Sequence, residues 1–255
     1  MDYKVESQEN FEFIETGADG PTIMLLHGLF GALSNFKSVL EEFGRDYNVV
    51  VPLLPIFKMP IRKLGVGGLV KFVEEFVKHK GYDKVHVLGN SLGGHVALIF
   101  VLNNPGKISS LTLTGSSGLY ESAFGTTFPK RGNYDFIKER TEQTFYDPTV
   151  ATKELVDEVF GIVNDRDKGI RVIVTAKSAV RHNLADRLNE IKCPTCLIWG
   201  IQDTVTPAFV AEQFNEGIEN SEVHYIDKCG HAAMMEKPEE FNSILVSFLR
   251  NTMGG

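Results

Sequence analysis

Short apolar runs recur along the chain with helical text between them. The runs at 22–26 (TIMLL), 48–51 (NVVV), 84–88 (KVHVL), 110–114 (SLTLT), 195–199 (TCLIW) and 222–226 (EVHYI) are rich in β-branched and aliphatic residues. They are too short for helices, and each predicts a strand. The stretches 67–81 (GGLVKFVEEFVKHKG), 92–106 (LGGHVALIFVLNNPG) and 237–251 (KPEEFNSILVSFLRN) read as helices. The second stops at Asn103-Asn104-Pro105-Gly106, and the third carries Pro238 near its start, where proline is tolerated. Apolar strands separated by helices of this kind predict an α/β fold with a mostly parallel sheet covered on both faces.

From 118 to 192 the alternation breaks. This region holds helical text (YDFIKERTEQTFYD, TKELVDEVFGIV, GIRVIVTAKSAV) interrupted by Gly and Pro. RVIVT has strand composition, but its setting favours helix. The expected organisation is therefore a core built from 1–117 and 193–255, with a helical cap or lid inserted at 118–192.

At 255 residues the chain suits one large domain with an insert, and 43% hydrophobic with 23% charged residues is ordinary for a globular protein. The balance of 26 basic to 33 acidic residues gives a formal charge of −7, which disfavours nucleic acid or an anionic membrane surface as the main partner. No apolar run reaches the roughly 20 residues of a membrane span, and the acidic N-terminal stretch has no secretory h-region. A cytoplasmic monomer or homodimer acting on a small molecule is the expectation. Cys193-Pro-Thr-Cys196 forms a CxxC, but it leads into a strand rather than a helix, which argues against redox work, and no second pair completes a zinc site. No metal or organic cofactor is expected.

The stretch LGNSLGGH (88–95) sets Ser91 among glycines between a predicted strand and a predicted helix. That is the setting of a G-x-S-x-G nucleophile elbow, in which Gly89, Gly93 and Gly94 make room for a tight turn. A glycine-rich turn with a capping serine would give the same letters. A nucleophile needs a base and the base needs an orienting group. Asp203 follows the strand at 195–199, and His231 follows the last strand, so a parallel sheet would gather all three at the carboxyl ends of its strands. In the order Ser…Asp…His, His231 would take the serine proton and Asp203 would fix its tautomer. The early loop HGLFG (27–31) can offer the Leu29 N–H as an oxyanion donor beside the Leu92 N–H, and His27 is expected to brace that loop. Gly65, Gly67 and Gly68 are read as a flexible helix start rather than a phosphate loop.

These four motifs, LLHGLFG, LGNSLGGH, WGIQD and CGHAAMMEKP, resemble those of α/β-hydrolase fold enzymes over essentially the whole chain. The resemblance implies an eight-stranded mostly parallel sheet with a cap after the sixth strand. Many members carry an Asp-x-Pro-Gly-x-Gly-x-Ser loop after the fourth strand, where this chain reads VPLLPIFKMP, so residues 53–60 are expected to take another path and make an apolar pocket wall.

A serine nucleophile sets aside the aspartate-dependent dehalogenases and epoxide hydrolases of the fold. Hydrolysis of a small to mid-sized carboxylic ester with an apolar acyl group is the first reading, with Phe30, Phe124, Phe128, Phe136, Phe145, Met234 and Met235 as apolar lining. The chain is also similar to C–C hydrolases of ring-cleavage dienoates, through Asn35 in SNF, Asn90 beside the serine, and CGH. Those relatives use a lid arginine, for which Arg166, Arg171 and Arg181 are the candidates, and carry Trp where this chain has Ala232. A receptor that retains the triad for ligand binding, or a transfer of the acyl group to peroxide, is the remaining alternative.

Overall fold

The computed structural model describes residues 3–31, 36–120 and 132–253. Its sheet has eight strands: β1 (Glu6–Gln8), β2 (Phe11–Glu15), β3 (Thr22–Leu26), β4 (Asn48–Pro52), β5 (Val85–Asn90), β6 (Ile108–Thr114), β7 (Thr195–Gly200) and β8 (Ser221–Ile226). The order across the sheet is β1-β2-β4-β3-β5-β6-β7-β8. β1 and β2 pair antiparallel, as do β2 and β4, and every other pairing is parallel. The hydrophobic pattern predicts six of these strands; β1 and β2 are additions at one edge.

Alternation within β3, β4, β5 and β7 fills both faces. Met24 and Leu26 join one buried cluster with Val50, Val87, Leu197 and Trp199. Ile23 and Leu25 join the other with Val49, Val51, Cys196 and Ile198. Helices α1 (Lys37–Phe43) and α9 (Pro238–Met253) cover the second face, while α2 (Val66–Lys80) and α3 (Leu92–Asn103) cover the first. α3 buries residues all round its circumference, because it lies between the sheet and α2. Between β6 and β7 come α4 (Tyr134–Glu142), α5 (Lys153–Asn164) and α6 (Arg166–Arg181). RVIVT lies inside α6, whose buried Val172, Thr175 and Ala179 fall at helical spacing. After β7 come α7 (Phe209–Gly217) and, beyond β8, the short α8 (Ala233–Glu236).

The CxxC follows the strand reading. Cys196 is wholly buried in β7, and burial pushes the Cys193 thiol up to about 11, so neither is a ready thiolate. Gly65 caps the start of α2 with φ 144°, and the Val66 N–H is taken by Ser178 Oγ of α6 at 3.0 Å.

One buried base makes stability pH-dependent. His86 of β5 is 5% exposed, bonds Ser110 Oγ through Nδ1 at 2.8 Å, and is pushed by burial from 6.5 down to about 4. As pH falls through about 6.5 the unfolded chain takes a proton that the folded chain refuses. Stability is therefore full above that pH, declines toward about 4, and the loss is then complete, at about 3 kcal/mol. In His86→Gln, denaturant midpoints measured across this window should fall less steeply than in the wild type; an unchanged slope would refute the assignment.

Candidate active site

β5 runs two residues past its apolar stretch, through Gly89 and Asn90, and delivers Ser91 to the carboxyl end of the central strands. Ser91 holds φ 56° and ψ −121°, a strained conformation for a residue with a side chain, and its hydroxyl makes no capping bond to α3. The capping explanation for this serine therefore fails. Only glycine fits this turn: a Cβ on Gly89 would stand 2.5 Å from Gly94 Cα, and one on Gly93 would stand 1.9 Å from Leu26 O of β3. α3 begins at Leu92, so the Leu92 N–H has no acceptor within its own helix.

The 27–31 loop lies against the serine: a Cβ on Gly28 would be 3.4 Å from Ser91 Cβ. His27 braces it, as expected. Its Nδ1 donates to Gly28 O at 2.8 Å, and its Nε2 accepts from the Leu54 N–H at 2.9 Å. Those partners require one neutral tautomer, and complete burial lowers the pKa accordingly.

His231 and Asp203 meet at the ends of β8 and β7. His231 Nδ1 lies 2.9 Å from Asp203 Oδ2, and both side chains are buried. Asp203 Oδ1 accepts the N–H groups of Val205 (2.8 Å) and Thr206 (2.9 Å). Its Oδ2 accepts the Thr206 hydroxyl at 2.8 Å, and that hydroxyl lies 3.3 Å from His231 Nδ1. Thr206 is itself locked, since its carbonyl accepts Trp199 Nε1–H at 2.7 Å. The Asn90 amide donates to Thr114 O at 3.0 Å and to His231 O at 3.3 Å, and His231 N–H donates to Thr144 O at 2.9 Å. Asn90 thus ties the serine strand to the histidine loop while facing the cavity.

Ser91 and His231 line a common cavity of about 1040 Å³ beneath α4, α5 and α6. Phe30, Asn90, Phe136, Phe145 and Met235 line it as the sequence suggests, and Tyr120, Ile137 and Val163 extend its apolar wall. Met234 is a correction: it is 1% exposed and packs into the core with Phe241 and Leu245, while Met235 faces the cavity. The short helix α8 turns successive residues to different sides, so only one of the pair can face inward. Asn35, Phe124 and Phe128 lie outside the described residues. Of the arginines, Arg166 lines the cavity, whereas Arg171 is held by Asp167 at 2.6 Å and by Met59 O at 2.5 Å. Arg181 ends α6 away from the lining, and Arg140 and Lys177 are cavity residues that the sequence did not single out. Cys229 is buried in the core, its thiol pushed up to about 12, which leaves it a space-filling role.

Gly115 was not legible as a site residue either. It follows β6 with φ 51°, and an added Cβ would stand 2.8 Å from His231 Nδ1 and 2.7 Å from His231 O. Gly115→Ala should push the imidazole aside and lower kcat/KM roughly 100-fold. Activity set beside thermal melting checks this: a folded variant with wild-type turnover would show that the contact does not position His231.

Residues 21–157 match the alpha/beta hydrolase fold family, and the chain belongs to that family as a hydrolase. It is 31% identical to a 2-hydroxy-6-oxononadienedioate/2-hydroxy-6-oxononatrienedioate hydrolase 2 of Pseudomonas putida, over 93% of this chain and 90% of that one. It is 28% identical to monoacylglycerol lipase abhd6-B of Xenopus laevis, over 98% of this chain and 82% of that one. Among solved structures, MGS-MChE2, an alpha/beta hydrolase enzyme from the metagenome of lagoon sediments at Mar Chica, Morocco, is 40% identical with a TM-score of 0.81, over 97% of this chain and 98% of that one.

Proposed function

We propose that the chain hydrolyses a small to mid-sized carboxylic ester through a Ser91–His231–Asp203 triad. The observation that carries this reading is the strained, uncapped Ser91 opening on the same cavity as a histidine already oriented by a buried carboxylate. Ser91 Oγ attacks the ester carbonyl while His231 Nε2 takes its proton, and the Leu29 and Leu92 N–H groups receive the oxyanion. Collapse breaks the C–O bond, His231 returns the proton to the departing alcohol, and an acyl-Ser91 remains. Water then attacks with His231 again as base, releasing the acid and restoring the serine. Every proton moves on the chain's own groups. Residues 118–192 serve as the cap over a core of 1–117 and 193–255, and the apolar cavity wall takes the acyl group.

The test is hydrolysis of p-nitrophenyl esters from acetate to decanoate. An optimum at intermediate chain length supports the reading, and a folded protein that turns over none of them refutes it.

A second reading has its own observation. Arg140, Arg166 and Lys177 line the cavity, and no Asp or Glu is among its described lining residues, although the chain as a whole is acidic. That charge suits an anionic substrate such as a ring-cleavage dienoate, the kind of compound named for the Pseudomonas putida relative. Loss of the dienoate chromophore on adding enzyme, with no ester turnover, would favour this C–C hydrolysis.

A further inference from the structure

The motif CGHAAMMEKP holds a carboxylate that the proposed reaction does not use. Glu236 closes the one-turn helix α8, which folds the chain back over the loop that leads into His231. The residue is half-buried, and each of its carboxylate oxygens takes one backbone donor. Oε2 accepts the N–H of Gly230, the residue before His231, at 2.6 Å. Oε1 accepts the N–H of Asp147, in the turn that follows α4, also at 2.6 Å. Both are short, as hydrogen bonds to an ionised acceptor are.

The surrounding bonds leave Glu236 a specific task. The N–H groups of Cys229, Gly230 and His231 lead one after another into the imidazole, and each has its own acceptor. Cys229 donates to Gln202 Oε1 at 3.0 Å, Gly230 to Glu236, and His231 to Thr144 O at 2.9 Å. Thr144 belongs to the turn after α4, so His231 is only as well placed as that turn. The turn is held on one side by Thr204, whose hydroxyl donates to Gln143 O at 2.9 Å, and on the other by Glu236 at Asp147. The approach is close: a Cβ on Gly230 would stand 2.6 Å from Thr144 O and 2.8 Å from Phe145 Cα. Loss of the carboxylate would therefore free both sides of this contact at once, the loop carrying His231 and the turn it leans on.

We propose that Glu236 is a positioning residue for His231: one carboxylate clamps the histidine loop to the turn after α4 and so keeps the imidazole in reach of Ser91 Oγ. This rests on His231 being the base of the proposed triad. Asp203 sets the ring's tautomer through Nδ1, whereas Glu236 fixes the backbone from which the ring hangs. The turn after α4 is then part of the active-site frame rather than a lid that lifts away.

Three variants separate positioning from bulk stability. Glu236→Ala removes both bonds. Measured well below its melting temperature, it should lower kcat for p-nitrophenyl butyrate roughly 10- to 100-fold with KM within about twofold, because the ester still enters the same cavity. Its rate of Ser91 modification by a fluorophosphonate should fall in proportion, since that step needs the same proton transfer. Glu236→Gln offers one carbonyl oxygen in place of two. The buried Gly230 N–H takes it while the exposed Asp147 turns its N–H to water, so most of the loss should be recovered. Glu236→Asp keeps the charge but is one methylene too short to span both donors, and it should lose activity as alanine does, to a smaller extent. Wild-type kcat with a lowered melting temperature in Glu236→Ala makes Glu236 a brace alone and overturns the proposal; where alanine does not fold, the same result in Glu236→Asp does so. A glutamine variant as impaired as alanine also overturns it, by tying the effect to charge and not to the Gly230 bond. Fluorophosphonate labelling needs no ester turnover, so its rates decide the point even where the ester reading fails. A wild-type protein that neither hydrolyses esters nor takes up the fluorophosphonate overturns the triad, and the positioning role with it.

Discussion

Ser91→Ala is expected to lower kcat for ester hydrolysis by roughly 10⁴- to 10⁶-fold while the protein melts at its wild-type temperature. In the proposed mechanism the loss is large because the hydroxyl forms the covalent bond, and the oxyanion donors and the cavity alone supply the small remainder. Stability should not move, because the Ser91 hydroxyl makes no cap to α3 and alanine meets the same strained φ of 56°. Ser91→Gly separates the two effects. It removes the same hydroxyl but also relieves the strain, and it should be inactive yet more stable by about 1 kcal/mol, net of the entropy glycine adds to the unfolded chain. Equal melting temperatures for Ser91→Gly and wild type would show that the backbone there is not strained. Full turnover by Ser91→Ala would remove the nucleophile and the proposed reaction together.

β3, β4, β5 and β7 were legible because each is buried along nearly its whole length, whereas β6 and β8 were read from β-branched and aromatic residues alternating with polar ones. β1 was not legible, since its three residues, Glu6 to Gln8, are all exposed and leave no burial signal. β2 does alternate, with Phe11 and Phe13 buried on one side and Ile14 on the other, but five residues beside a turn give that pattern little length. The positions of Ser91, Asp203 and His231 at one end of the sheet could be read because each follows a strand in a parallel sheet. What the letters hide is contact across the fold: Gly115 against the imidazole, Thr206 against both Asp203 and His231, and Asn90 donating to the histidine backbone. Thr206 had the best signal available, since a threonine three residues after an aspartate is the pattern of a side chain folded back on its own turn. The swap of Met234 for Met235 has the opposite cause, a one-residue rotation on a helix of four residues that no periodicity could resolve.

Asp203→Asn should cost roughly 10⁴-fold in kcat with little change in the fold, and the surrounding bonds say why. Oδ1 accepts two backbone N–H groups, from Val205 and Thr206, which cannot turn away. An asparagine must place its carbonyl oxygen there, because an amide NH₂ facing two donors would leave all of them unsatisfied in a buried site. Its NH₂ then occupies the position of Oδ2, opposite His231 Nδ1 and the Thr206 hydroxyl. The hydroxyl can rotate and accept, so the amide stays satisfied and the structure survives. The imidazole can accept that N–H only by carrying its own proton on Nε2, and a protonated Nε2 cannot take the proton from Ser91. Thr206→Val tests the neighbouring bond by contrast. It leaves both backbone donors and the His231 tautomer in place, so its loss should be far smaller, roughly tenfold, because only one of the carboxylate's hydrogen bonds is removed. Comparable losses in the two variants would mean that Asp203 acts by packing alone, and that the tautomer is set by something else in the loop.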